Sequence, residues 1–354
     1  MKFKEFLKKK NVDISWKTYF VTAMGAMAQG LFASLLIGTI LSTLGKWTSA
    51  EFLNEIAAFA QNAYVCGAAI GVAVAYALKA EGLVLFSSVV VGAIGYNAFP
   101  VPGPIEGKMY TAGPAGAFVA VLLACEIGKI VYKETKVDIL VTPIVTILTG
   151  FAASWLLCPG IAYGMYYLGD FINTATEMHP FVMGIIVSVV VGILLTLPIS
   201  SAAICAMIGI SGLAGGAATV GCCCQMVGFA VMSYRENKIG GLVAQGLGTS
   251  MLQMGNIIRK PIIWIPTILS SAILGPVSTL IFKMTNVGVN AGMGTCGIVG
   301  PLGVISAAEN LNSAMFWIGL ILLCVVLPAI VTLLFSELMR KLGWIKLGDL
   351  KLDL

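Results

Sequence analysis

Charged residues are scarce in this chain of 354 residues. Asp, Glu, Lys and Arg make up 10% of it and hydrophobic residues 58%, whereas soluble domains average about 25% charged residues. Histidine occurs once, so no metal site or proton relay can be built from histidines alone. These deficits exclude a soluble enzyme, a disordered tail and a nucleic-acid-binding module.

Catalytic motifs are absent as well. The sequence has no nucleophile elbow, no HExxH, no P-loop and no paired carboxylates within its apolar runs. Its nine cysteines lie almost wholly inside those runs, without metal-site or CxxC spacing. Consecutive helical residues point about 100° apart, so Cys222, Cys223 and Cys224 cannot close on one metal. The sequence therefore favours packing roles for the cysteines, predicts no cofactor and gives no support for an enzyme.

Long uncharged runs fill the chain between two charged ends. Residues 1–17 hold eight charges and residues 337–354 hold seven, while the longest uncharged run, 178–234, has 57 residues. A helix needs about 20 apolar residues to cross a bilayer. The fold class predicted is all-α: a polytopic integral membrane protein with about 8–10 transmembrane helices. It comprises a basic amphipathic segment at 1–17, a transmembrane domain at 18–340 and a tail at 341–354.

The distribution of Lys and Arg predicts the orientation, because positively charged loops stay on the cytoplasmic side. Basic residues collect before residue 18, at 129–136, at 235–238 and after residue 339. Both termini are therefore expected in the cytoplasm, and the protein in the cell membrane.

Several apolar runs are expected to be broken or re-entrant. Pro198 and the glycines between 209 and 221 interrupt the run 178–234, which leaves either one crossing plus a helical hairpin or three crossings. The runs 239–258 and 284–308 are unusually polar and rich in glycine. Irregular backbone at membrane depth is tolerated only when it is buried in protein or lines a wet cavity. Re-entrant segments at both places also keep Arg259 and Lys260 on the cytoplasmic side.

An amide-bearing stripe is the first candidate binding site. Gln245, Thr249 and Gln253 follow an i, i+4, i+8 spacing, with Ser250 and Asn256 beside them. Amides donate and accept hydrogen bonds without ionising, which suits a neutral, polyol-like solute. The alternative interpretation is that these side chains bond neighbouring helices to each other.

Four more polar residues are candidates for contacts with the solute. Asn290 lies in the second broken segment and Glu309 follows it, Asn97 lies at a helix end, and His179 lies at the outer mouth of the run 178–234. For the asparagines the alternative is helix capping and turn formation. For His179 it is a hydrated helix start. Glu126 forms an ordinary i,i+3 pair with Lys129 by spacing.

Three stretches carry a family resemblance: MGAMAQGLFASLLIGTIL at 24–41, GLGTSMLQMGNIIRKP at 246–261 and GIVGPLGV at 297–304. With them the chain resembles the membrane EIIC subunits of the bacterial sugar phosphotransferase system, and more closely the branch described as perfringolysin O regulators. The resemblance implies an EIIC-like fold, a homodimer, a sugar-like solute and a separate EIIB-like partner.

The stretch 297–304 departs from the glucose-type members of that family, because glycine replaces both carboxylates of their loop, at Gly300 and Gly303. Their loop reads G-I-T-E-P-[IL]-E-F, and its first Glu contacts the sugar; here Gly300 occupies that position, and it is included among the candidate residues. The function expected is transport of a small polar solute by alternating access between broken helices. The alternative is a membrane-embedded ligand sensor that does not transport and that signals through its basic N-terminal segment.

Overall fold

The structure is a computed structural model, and it describes residues 6–7, 9–102, 109–176, 178–199, 201–308 and 313–352. It confirms an all-α architecture, in which the described strands are β1 (Val101–Pro102) and β2 (Met109–Tyr110), paired antiparallel. The chain divides into two compact units, Met1–Met165 and Tyr166–Leu354.

From Met24 onward, seven α-helices begin among the described residues of the first unit, and the last of them runs on into the second. Their bounds are α1 Met24–Leu31, α2 Ile37–Thr48, α3 Glu51–Ala60, α4 Ala63–Ala77, α5 Gly82–Asn97, α6 Gly113–Val131 and α7 Asp138–Thr176.

Ten further α-helices follow among the described residues of the second unit. Their bounds are α8 Pro180–Thr196, α9 Ser201–Met207, α10 Gly212–Met232, α11 Tyr234–Val243, α12 Met254–Arg259, α13 Ile265–Pro276, α14 Gly288–Ala291, α15 Val299–Ala307, α16 Ala314–Ile321 and α17 Leu327–Lys341.

Among the described residues, six helical stretches are long and apolar enough to cross a membrane, or seven if the bent pair α3–α4 forms one span. The six are Thr18–Ser42, Gly113–Val131, Asp138–Thr176, Gly212–Met232, Pro261–Phe282 and Ala314–Lys341. Three shorter apolar helices add to them, namely Gly82–Asn97, Pro180–Thr196 and Cys296–Ala307. Of the 8–10 transmembrane helices predicted, six or seven are therefore present as candidate spans in the described part of the chain.

Both segments expected to be broken consist of short pieces. Between residues 239 and 258 the end of α11 is followed by a π-helical turn (Ala244–Gly248), a 3₁₀ turn (Ser250–Gln253) and α12. Between 284 and 308 the pieces are α14, a 3₁₀ turn (Cys296–Ile298) and α15. π-helical turns inside helical segments occur frequently at functional sites.

Three helices of the second unit touch backbone to backbone. A Cβ added at Gly221 of α10 would overlap with the carbonyl oxygen of Ser188 on α8, and one added at Gly275 of α13 would overlap with that of Gly184 on α8. The Ser188 hydroxyl also donates to the carbonyl oxygen of Ser271 on α13 at 2.8 Å. Small residues therefore hold α8, α10 and α13 together, as in other membrane helix pairs.

The cysteines are buried and free. Cys223, Cys224 and Cys324 lie in one hydrophobic cluster with Val220 and Leu323. The packing role expected for them is what the structure shows.

Candidate functional site

Three candidate amides form one buried cluster. The Gln253 Nε2 group donates to Gln245 Oε1 at 2.9 Å, and Asn256 Nδ2 donates to Gln253 Oε1 at 2.8 Å. Gln245 Nε2 donates onward to Ser233 Oγ at 2.9 Å. The predicted helical stripe is nevertheless wrong in geometry, because Thr249 is extended (φ −158°, ψ 142°) and separates two turns. Gln245 and Gln253 meet across that break; we call Gln245, Gln253 and Asn256 the amide cluster.

The chain's own C-terminal tail, Gly343–Leu352, lies against the amide cluster. Gln253 Nε2 donates to the carbonyl oxygen of Leu350 at 3.0 Å, and Asn256 Nδ2 donates to that of Lys351 at 2.9 Å. Asn237 adds two bonds, from its Nδ2 to the Leu350 carbonyl oxygen and from the Leu352 amide to its Oδ1, each 2.8 Å. The amides therefore already bind a peptide backbone.

Apolar and charged contacts hold the tail in the same place. The side chain of Leu350 is fully buried, and it packs in a cluster with Phe229 and Met339. Lys260 Nζ lies 2.6 Å from Asp349 Oδ2. Burial alone would raise the pKa of Asp349, but the hydrogen bonds from Lys260 and from the Lys346 amide outweigh it, and the pKa is lowered.

A second polar cluster shares the 3₁₀ turn Ser250–Gln253 with the amide cluster. The hydroxyls of Ser250 and Thr196 are 2.8 Å apart. Gln225 Oε1 accepts from Trp264 Nε1 and from Thr267 Oγ1, each at 2.9 Å, and from Thr196 Oγ1 at 3.4 Å. These five residues are called the Gln225 cluster below.

The amide nitrogen of Gln225 is the unusual atom of this cluster. An indole N–H can only donate, so the bond from Trp264 fixes which end of the Gln225 amide carries the oxygen. The Nε2 atom is then buried without a hydrogen-bond partner among the described residues. An unsatisfied buried donor costs about 1–3 kcal/mol, and an acceptor supplied by a ligand would remove that cost.

Gly300 lies in a tightly closed loop. Its amide donates to the Gly294 carbonyl oxygen at 2.9 Å, and its own carbonyl oxygen accepts from Asn286 Nδ2 at 3.1 Å. A Cβ at this position would overlap with that same Gly294 oxygen. No carboxylate can therefore occupy position 300 without rebuilding the loop. Thr295 Oγ1 donates to the Gly246 carbonyl oxygen at 2.5 Å, which joins the two broken segments to each other.

The other candidate residues have contacts of their own. His179 Nδ1 accepts from the Phe181 amide at 3.4 Å and so caps α8; next to it, Met178 and Pro180 line a cavity of about 450 Å³. Asn97 Nδ2 donates to the Ala93 carbonyl oxygen at 3.0 Å within α5, in the first unit. Asn290 is half-buried at the end of α14.

Glu309 lies outside the described residues. Glu126 and Lys129 form the expected pair, with 2.9 Å between Oε1 and Nζ. Within the described part of the chain, no group of three or more His, Cys, Asp or Glu side chains could hold a metal ion.

Three residues that form these polar contacts were not predicted from the sequence: Gln225, Trp264 and Asn286. The signal for Gln225 was present, because it is a lone amide in the middle of the longest uncharged run, directly after three cysteines. Polar side chains are expensive there and mark sites or mutual contacts. No local signal pairs Asn237 with the tail, since its partner Leu350 is 113 residues away.

A protein-family model matches this chain. The family model described as "Phosphotransferase system, EIIC" matches residues 21–352, nearly the whole chain. No curated protein and no solved structure matches significantly. The all-α fold, the apolar spans and this match identify a polytopic membrane protein. The chain belongs to the EIIC family of the phosphotransferase system.

Proposed function

We propose that this chain carries a sugar or a sugar-like polyol as the membrane subunit of a phosphotransferase-type uptake system. Family membership supports a membrane-embedded transport subunit that works with an EIIB-type partner. The phosphoryl group would come from that partner, because the chain offers no catalytic constellation of its own. In this proposal the protein is a homodimer in the cell membrane, with both termini in the cytoplasm.

The binding site we propose is the Gln225 cluster together with the adjoining amide cluster. The observation that carries this choice is the buried Nε2 group of Gln225, which has no partner among the described residues. A hydroxyl oxygen of a sugar could accept from it, while Ser250 and Thr267 supply further hydroxyls. All of these groups bond without ionising, and they take the place of the carboxylate that cannot fit at Gly300.

Alternating access in this scheme comes from the broken segments. Discontinuous helices near the middle of the membrane are a common way for transporters to expose free backbone and side-chain groups to a solute. The segments 239–258 and 284–308 are built of short pieces and are joined by the Thr295–Gly246 hydrogen bond. Asn290 and Gly300 belong to the second segment, and we keep them as candidate contacts, as we do Asn97, His179 and Glu309 outside it.

The test is uptake into reconstituted vesicles supplied with phosphoenolpyruvate, the general phosphotransferase proteins and an EIIB protein. Gln225→Met keeps the size of the side chain but removes its amide. We expect a loss of solute affinity of roughly fivefold, because the hydrogen bond that Nε2 donates to the solute contributes about 1 kcal/mol. Val227→Ala, a buried apolar change on the same helix, is the control and should leave affinity unchanged.

Two results would contradict this proposal. Uptake that proceeds without phosphoenolpyruvate and EIIB excludes the phosphotransferase mechanism. Equal affinity in the Gln225→Met variant and the wild type excludes the Gln225 cluster as the binding site, whatever the energy source.

A second candidate function is sensing without transport, and the docked tail favours it. A solute that competes for Gln253 and Asn256 would release the carbonyl groups of Leu350 and Lys351, and so expose the tail to another protein. Solute-dependent proteolysis of the tail in vesicles that show no uptake would support sensing. Uptake with a tail that stays protected throughout would reject it.

A further inference from the structure

A basic cavity of about 300 Å³ lies in the first unit, where the apolar helices α4 and α6 end. Among the described residues, five lysines and two carboxylates line it: Lys9, Lys10, Lys79, Lys129 and Lys133, with Glu81 and Glu134. Helix α6 is one of the spans long enough to cross the membrane. Its end, and with it the cavity, is therefore expected at the level of the lipid headgroups.

Two of the five lysines already have structural partners. Lys129 Nζ donates to the carbonyl oxygens of Asn11 and Leu78, at 2.8 and 3.0 Å, and to Glu126. Lys10 Nζ donates to the carbonyl oxygen at the end of α6 and pairs with Glu134. The carbonyl ends of helices carry partial negative charge and attract cations. These contacts fix the N-terminal segment as one wall of the cavity.

The other three lysines are exposed and have no structural role of that kind. Lys9, Lys79 and Lys133 are exposed, and none of them forms an ion pair with another described residue. Glu81 is the remaining carboxylate in the lining. The carboxylates of the lining therefore neutralise only part of the positive charge of the lysines. The cavity can bind an anion.

We propose that this cavity binds a phosphate group, either in the headgroup of an anionic lipid or as free phosphate. Lysine is a common phosphate ligand, and the volume suits a small group rather than a folded partner. Ile14 and Trp16, next along the segment that forms the wall, are 74% and 64% exposed. Exposed aromatic and apolar side chains of this kind sit at the membrane interface, which places a lipid headgroup within reach.

The test compares two matched double variants of the full chain in detergent. Lys79 and Lys133 have positive φ angles (58° and 61°), as have Lys238 and Lys283 (52° and 47°) in the second unit. Asparagine tolerates that conformation. Lys79→Asn/Lys133→Asn therefore removes two cavity charges, and Lys238→Asn/Lys283→Asn removes two charges elsewhere, likewise at positions of positive φ.

The measurement is the melting temperature titrated with phosphatidylglycerol, with phosphatidylcholine of the same chains, and with inorganic phosphate. Each lysine near an anionic headgroup contributes about fivefold in affinity, so the cavity variant should bind phosphatidylglycerol roughly 25-fold more weakly. The control variant should match the wild type. Should the cavity variant fail to fold, Lys9→Asn replaces it, with a loss of about fivefold.

The outcomes separate the sources of the phosphate. Phosphatidylglycerol that stabilises the wild type and the control variant, and loses its effect in the cavity variant, supports a lipid site. The same pattern with inorganic phosphate alone supports a site for a free anion. Equal stabilisation by phosphatidylcholine, equal weakening in both double variants, or no effect of either phosphate source overturns the proposal.

Discussion

Docking of the C-terminal tail can be tested with two leucines that lie three residues apart. The Leu350 side chain is fully buried, whereas that of Leu347 is 73% exposed. Replacing a buried leucine with alanine costs about 2–5 kcal/mol. The tail can open without global unfolding, so we expect Leu350→Ala to destabilise its docked state by about that amount. Leu347→Ala removes the same atoms from an exposed site and should cost less than about 0.5 kcal/mol.

Hydrogen–deuterium exchange of the tail amides is the assay. The amides of Gly348 and Leu352 bond to Glu236 and Asn237 at 2.9 and 2.8 Å, so their protection reports docking. Since about 1.4 kcal/mol is a factor of ten, Leu350→Ala should speed their exchange by roughly 30-fold to several thousandfold. Similar acceleration in both variants, or none in Leu350→Ala, would refute the reasoning that burial of this one side chain holds the tail.

Three further predictions concern strain, close packing and pH. Ile298 has left-handed backbone (φ 63°) and is 37% exposed, so Ile298→Gly should raise the free energy of unfolding by roughly 0.5–1 kcal/mol; a lower melting temperature would contradict this. Gly300→Ala should lower the melting temperature because its Cβ overlaps with backbone, whereas Gly25→Ala, with open space around it, should not. Because the pKa of Asp349 is lowered from its ordinary 3.8, its contribution to tail docking should stay constant near neutral pH and disappear as the pH falls below about 4. Exchange rates of the tail measured against pH check this, and Asp349→Asn should remove that pH dependence.

Hydrophobic pattern alone was sufficient for the fold class. Uncharged runs of 20 residues or more become helices because a membrane leaves the backbone no other way to satisfy its polar groups. The helix breaks could also be predicted from the proline and glycine residues: α8 ends at Thr196, just before Pro198, and α10 begins only at Gly212. Glycine-rich polar runs likewise gave short pieces where continuous helices would otherwise be expected.

The candidate site was only partly predictable, because its contacts are long-range. The spacing predicted that Gln245 and Gln253 lie on one face of a continuous helix. In the structure the extended Thr249 breaks the helix, and the two side chains meet across the break. No periodicity could reveal that Gln253 and Asn256 bind carbonyl groups 97 and 95 residues further along. Whether these residues contact a solute stays a prediction.

The glycine contacts described for α8, α10 and α13 have a mechanical consequence. Where the main chains of two helices touch, the helices cannot slide or rotate against each other without steric overlap. These three helices should therefore move as one rigid body. Gln225 lies on α10, one of these three helices. A conformational change that lets a solute reach it would then take place in the short turns around Thr249 and Gly297. Glycine would then have two opposite effects: it allows the close contacts that keep the three helices rigid, and it makes the short turns flexible.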